Sequence, residues 1–196
     1  TLSVDIAKSA TKVALGDKAN GVYAVCWSEG DRISVNGYIS EEAEINTANA
    51  SSARFKIKGA SLAYPYNILY PASESDVVNF PAIQNYKEGT FDVGASPMYA
   101  RVESSGEGIS LHHLGGVLRL AVIGDVENMA LSKMVVESAE GVVAGAFAVN
   151  FYCAPAIAVD GAMTLYWWDM ETMASVDKLT VENATGSMEM TDTNGM

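Results

Sequence analysis

Wherever apolar residues recur in this chain they do so with a period of two, and that pattern restricts it to strands. Leu2, Val4 and Ile6 alternate with Ser3, Asp5 and Ala7. The same period runs through 22–27, 32–38, 53–58, 98–103, 117–123, 132–138 and 146–152, each segment bounded by Gly, Asn, Asp, Ser or Pro. In 117–123 Leu118, Leu120 and Val122 share one face and the other face carries a single charge, as in a central strand. No long apolar stripe at the helical period of 3.6 occurs. Many short strands with frequent turns predict an all-β, antiparallel sandwich or barrel with little helix.

Around Trp27 the pattern is specific enough to place a turn. A strand ending in Trp27, then Gly30-Asp31, then Ile33 and Val35 alternating with polar residues reads as a β-hairpin with those three large side chains in the core. Residues 40–52, rich in Ser, Ala, Asn and Glu, read as a long loop. Residues 64–86, with Pro65, Pro71 and Pro81, read as irregular extended chain, and a second irregular stretch follows Cys153. Lys133-Met134-Val135-Val136-Glu137 with Gly141 is echoed by Lys178-Leu179-Thr180-Val181-Glu182 with Gly186, which reads as a repeated hairpin.

At 196 residues one full domain fits, or one and part of a second. With 24 acidic and 12 basic residues the net charge is -12, and the cations are scattered singly, so nucleic acid and anionic lipid surfaces are repelled. A 49% hydrophobic composition is too apolar for disorder. No apolar run approaches the about 18 residues of a membrane span. The absence of a charged-then-apolar leader fits either a non-secreted protein or a processed form. Cys26 and Cys153 have no C-x-x-C spacing and no adjacent His, which argues against a metal site; they form one disulfide or remain two buried thiols.

The chemistry-bearing residues do not assemble into a catalytic motif. Ser9 and Lys12 have S-x-x-K spacing but lie in strand-like flanks, where positions three apart face opposite ways. His112-His113 are the only histidines, no G-x-S-x-G elbow accompanies them, and neighbours on a strand cannot chelate one ion. Glu41, Glu42 and Glu44 read as a solvated acidic loop, although a pair of catalytic carboxylates is always available among so many acids. Asp192-Thr193-Asn194-Gly195 has no downstream Glu to complete a calcium loop, and phosphate-binding glycine loops are absent. Trp167 and Trp168 are candidates for glycan stacking, with one of the two packing inward. The expectation is a protein without enzymatic activity, cofactor or metal.

The ordered series Trp27–Gly37, Ala53-Arg54-Phe55-Lys56-Ile57, Tyr70-Pro71-Ala72, Phe80-Pro81-Ala82-Ile83-Gln84-Asn85-Tyr86, Pro97-Met98-Tyr99-Ala100, His113-Leu114-Gly115-Gly116-Val117-Leu118-Arg119-Leu120 and Ala144-Gly145-Ala146-Phe147 resembles the fimbrillin-like (Mfa-like) family of pilin subunits and fimbrial adhesins. The resemblance spans roughly residues 1–152. It implies a transthyretin-like, Greek-key β-sandwich over 1–153, with 154–196 adding strands that complete it or begin a truncated second domain. It further implies an exported lipoprotein at the outer-membrane surface or in a fimbrium, with other fimbrial subunits and host or bacterial surface proteins or glycans as partners. Members of the family polymerise by strand exchange after proteolysis at a basic residue, usually Arg, removes the first strand; the matching residue is Lys12. If Lys12 is not cut, Leu2, Val4 and Ile6 stay in place and the protein is a monomer or terminal subunit. The alternative function is a glycan-binding surface lipoprotein module.

Overall fold

The computed structural model describes residues 1–6, 14–19, 22–59, 61–87, 90–118, 132–139, 141–159, 163–169, 174–176 and 179–191. Among them every regular element is a strand, so the chain is all-β. The N-terminal part supplies β1 (Leu2–Ile6), β2 (Ala14–Ala19), β3 (Val22–Cys26), β4 (Ser34–Val35), β5 (Tyr38–Ile39), β6 (Glu44–Ile45) and β7 (Ser52–Phe55). The middle supplies β8 (Tyr66–Tyr70), β9 (Val77–Phe80), β10 (Ile83–Asn85), β11 (Met98–Val102) and β12 (Ile109–His113). The rest comprises β13 (Lys133–Glu137), β14 (Ala144–Val149), β15 (Cys153–Val159), β16 (Met163–Asp169), β17 (Ala174–Val176), β18 (Leu179–Thr185) and β19 (Ser187–Thr191).

Eight strands form one sheet in the order β5-β4-β8-β11-β12-β1-β7-β6. All its pairings are antiparallel except β1 with β12. One face of this sheet carries Val35, Ile68, Tyr70, Met98, Ala100, Val102, Ile109, Leu111, Val4, Ala53 and Phe55, which pack with Trp27 and Ile33 into a single core. The period-two pattern explains this face directly, because alternate residues of each strand point inward.

The sheet is curled. Phe55 on β7 and Tyr70 on β8 are four strand steps apart, about 19 Å in a flat sheet. The Trp27 ring nevertheless meets both edge-on, with centroids 4.9 Å from Phe55 and 5.5 Å from Tyr70. Its outermost strands, β5 and β6, belong to one continuous segment joined by Ser40 to Ala43. That joint bonds to both sides of the gap: Ser40 N donates to Ile33 O (2.9 Å), Ala43 N to Asp31 O (2.8 Å) and Glu41 N to Lys56 O (2.7 Å). Ile33 N donates to the buried Ser40 Oγ (3.1 Å). The expected long loop over 40–52 is therefore a seam strap followed by β6 and the start of β7.

A second core lies on the opposite face of β8 and β11. Leu69 and Tyr99 point away from the first core and pack with Val78, Phe147, Val149 and Phe151 of the sheet β18-β14-β9 and its continuation, beside Phe80 and Leu114. With one core on each side, β8 does not alternate in hydrophobicity, so nothing offset the three prolines that made residues 64–86 read as irregular. Pro65 and Pro71 stand at the ends of β8, where they cost no ladder hydrogen bond. β9 and β10 also fall within that stretch, and β15 to β19 replace the irregular chain expected after Cys153.

Three other sequence expectations change. Trp27, Ile33 and Val35 are core residues as expected, at 3%, 0% and 0% exposure, but they do not flank a common hairpin. β3 pairs with β2, whereas β4 pairs with β5 across a turn at Asn36-Gly37, both with positive φ (50° and 80°), as a type I′ turn requires. The echoed segments are not hairpins either. β13 pairs with β19 and β14 with β18, so each strand–turn–strand unit turns a corner between sheets and its two arms pair with the arms of the other. Ser138 N donates to Gly186 O (2.8 Å) at the nested corners. In the expected strand over 117–123, Val117 and Leu118 are exposed and lie outside any strand; the remainder is outside the described residues.

Trp27 Nε1 is buried with no hydrogen-bond partner among the described residues, so the indole contributes through its ring alone. Trp27→Ala is expected to cost about 3–5 kcal/mol in urea unfolding. Trp27→Phe should cost clearly less, because it keeps an aromatic ring and removes the unsatisfied N–H.

Candidate functional site

The first strand occupies a two-sided seat. β1 pairs antiparallel with β7 (Leu2↔Phe55, Ser3↔Arg54, Val4↔Ala53, Asp5↔Ser52) and parallel with β12 (Val4↔Ile109, Asp5↔Ser110, Ile6↔Leu111). Val4 is fully buried and Leu2 packs at the core margin. Burial of a Val side chain contributes about 1.5–3 kcal/mol. The following strand, β2, belongs to a different sheet with β3. Removing β1 would thus strip main-chain partners from β7 and β12 and empty the Val4 socket, leaving the β2–β3 pairing untouched. Lys12, the candidate processing residue, lies outside the described residues, as does Ser9.

Other predicted residues are placed individually. Trp167 and Trp168 are adjacent in β16, opposite Pro155 and Ala154 on one side and Val176 and Ser175 on the other. Their side chains are outside the described set. Cys26 is a free, partly exposed thiol. His113 Nδ1 and Ser96 Oγ are 2.9 Å apart, with Ser96 only 5% exposed, while His112 is exposed and 6.0 Å from the Tyr99 ring.

Glu41, Glu42 and Glu44 are each matched to a cation: Lys58, Arg32 (3.0 Å) and Lys56 respectively. The hydrogen bond from Lys58 holds the Glu41 carboxyl below its ordinary range. These pairs are exposed and line the seam strap, where each adds little stability but fixes its register. Among the described residues no group of His, Cys, Asp and Glu is arranged to hold a metal, and no helix is long and apolar enough to cross a membrane.

Sequence reasoning read Asp31 as a turn residue and missed its environment. Asp31 is 4% exposed, Ser28 N donates to its Oδ2 (2.6 Å) and the Tyr70 hydroxyl donates to its Oδ1 (2.9 Å). Burial pushes its carboxyl upward, and burial together with Asp31 pushes the Tyr70 hydroxyl upward as well. The partner is distant in sequence, so no local signal marks the pair. The turn at Asn36-Gly37, inside the expected strand over 32–38, was missed as well, although an Asn-Gly pair between alternating hydrophobics is the local signal that could have found it. The Asn36 side chain is fully engaged: Asn67 N donates to its Oδ1 (2.8 Å), and its Nδ2 donates to Ala63 O and Pro65 O (3.1 Å each).

Comparison with protein-family models, curated proteins and solved structures returned no match to this chain.

Two outcomes are expected from this geometry. A carboxyl raised on folding binds its proton more tightly in the folded chain, so its contribution is complete below the ordinary Asp value of 3.8 and is lost as pH climbs through the raised value. In urea titrations across pH, wild-type stability should fall relative to Asp31→Asn over that window and then run parallel. A Cβ on Gly37 would lie 2.8 Å from Glu74 O at a φ of 80°, so Gly37→Ala should lower unfolding free energy by about 1–3 kcal/mol.

Proposed function

We propose that this chain is a non-enzymatic cell-surface fimbrial subunit or adhesin-like protein whose first strand can be exchanged for a strand of a neighbour. The observation that carries the reading is the seat of β1: ladders on both sides, a buried Val4, and no pairing with the next strand. A vacated slot of that kind offers unpaired N–H and C=O groups and one apolar socket, the chemistry of strand addition. The resemblance described above supplies the biological setting: export, outer-membrane or fimbrial location, a lipid anchor in the precursor, and other subunits as partners. Lys12 is the proposed processing position, and an uncut chain is a monomer or terminal subunit.

Strand complementation tests this. A chain starting at Val13, mixed with a synthetic peptide of residues 1–12, should bind it saturably and gain thermal stability, while the same peptide with Val4→Asp should not. Without peptide, the shortened chain should form oligomers that survive unheated denaturing gels. A shortened chain that melts like the intact one, stays monomeric and ignores the peptide would sink the exchange reading.

A further inference from the structure

A groove of about 490 Å³ lies beside the Asn36-Gly37 turn, lined by Tyr64, Asn67, Glu74, Asp76 and Tyr152 among others. It is a shallow depression open to solvent, the shape of a surface site for an extended ligand and not of an enclosing pocket. Tyr64 and Tyr152 are large aromatic side chains left 41% and 54% exposed on its walls. Both are held by contacts that leave ring surface free. Tyr64 is stacked on Tyr66 with centroids 4.0 Å apart and planes at 19°, and the Arg101 guanidinium carbon sits 4.5 Å from the centre of the Tyr152 ring. Arg101 Nη1 also donates to Asn67 Oδ1 (3.0 Å), which joins the Tyr152 wall to the floor.

The polar groups divide into used and unused. Asn36 is saturated by Asn67, Ala63 and Pro65, and Asn36 N donates to Asn67 O (2.8 Å), so the floor backbone is already paired. β4, which ends at the groove, is bonded on both sides and offers a peptide no free edge. The Glu74 and Asp76 carboxylates, in contrast, make no side-chain hydrogen bond or ion pair among the described residues. Flat ring faces for C–H surfaces, unused carboxylate acceptors for hydroxyls and an amide donor on Asn67 form the combination that a sugar ring satisfies.

We propose that this groove is a saccharide-binding site for uncharged oligosaccharides. The sign of its charge sets the selectivity. Glu74 and Asp76 line the groove, and Arg101, the cation beside it among the described residues, is already bonded to Glu103 (2.6 Å) and Asn67. Uronic or sialylated sugars are therefore disfavoured, in keeping with a net charge of -12. The site does not depend on strand exchange: none of these residues belongs to β1, β7 or β12.

The test uses the intact chain, a glycan array and NMR titration with uncharged hexose oligomers and their uronic and sialylated counterparts. At least one uncharged oligomer should bind saturably, with shifts confined to residues around Tyr64, Asn67 and Tyr152. Tyr152→Ala and Tyr64→Ala, checked for unchanged melting, should each weaken binding up to about tenfold, the scale of one aromatic contact. Tyr86→Ala, exposed elsewhere, should leave it unchanged. Anionic counterparts should bind more weakly, and Glu74→Gln with Asp76→Asn should narrow the gap. Absence of saturable shifts in the wild-type protein overturns the proposal whether or not the variants fold. Preference for anionic sugars, shifts mapping elsewhere, or binding to peptides instead of sugars would do the same.

Discussion

Much of this fold depends on the wedge formed by Trp27. Its ring holds Phe55 and Tyr70 together although their strands are separated by β11, β12 and β1 in the sheet. An eight-stranded sheet with one apolar face must bury that face, either against another layer or by bending onto itself. Here it does both in different places. The first core is enclosed by curvature, and the opposite face of β8 and β11 is covered by β9, β14 and Phe151 just beyond it.

Closing the sheet also solves the problem of exposed edges. The strap from Ser40 to Ala43 satisfies main-chain groups on both banks, and the surrounding ion pairs of Glu41, Glu42 and Glu44 place charges along the seam. Within that closed wall β1 is distinctive. It is a wall strand by its ladders and by the burial of Val4, yet the next described strand, β2, pairs in a different sheet. The same strand therefore serves closure and offers a point at which the wall can be opened.

What could be read from sequence was whatever depended on alternation. β1, β7 and β13 were visible because apolar and polar residues alternate along them, and Trp27, Ile33 and Val35 were correctly placed inside. β8 was missed because Pro65 and Pro71 at its ends read as irregular chain and because Ile68, Leu69 and Tyr70 are all buried, two toward one core and one toward the other, leaving no period to offset them. Most pairing partners were not legible, since register depends on residues far apart. The β4–β5 hairpin is different: its Asn36-Gly37 signal is local, and the expected turn at Gly30-Asp31 stood in its place. The Asp31–Tyr70 bond and the tyrosine groove share this character: each arises only when distant strands meet.

The nested corners carry a consequence for the order of events in synthesis. β13 and β19 are partners, as are β14 and β18, and the whole of β15 to β17 is made between the first pair of arms and the second. On a ribosome, β13 must wait without its antiparallel partner until almost the last residues of this segment have been made. Such long-range closure slows folding and prolongs the exposure of unpaired strands. A nascent chain halted before β18 would hold the curled sheet and lack the clasp, with β13 as an open edge for any other copy in reach.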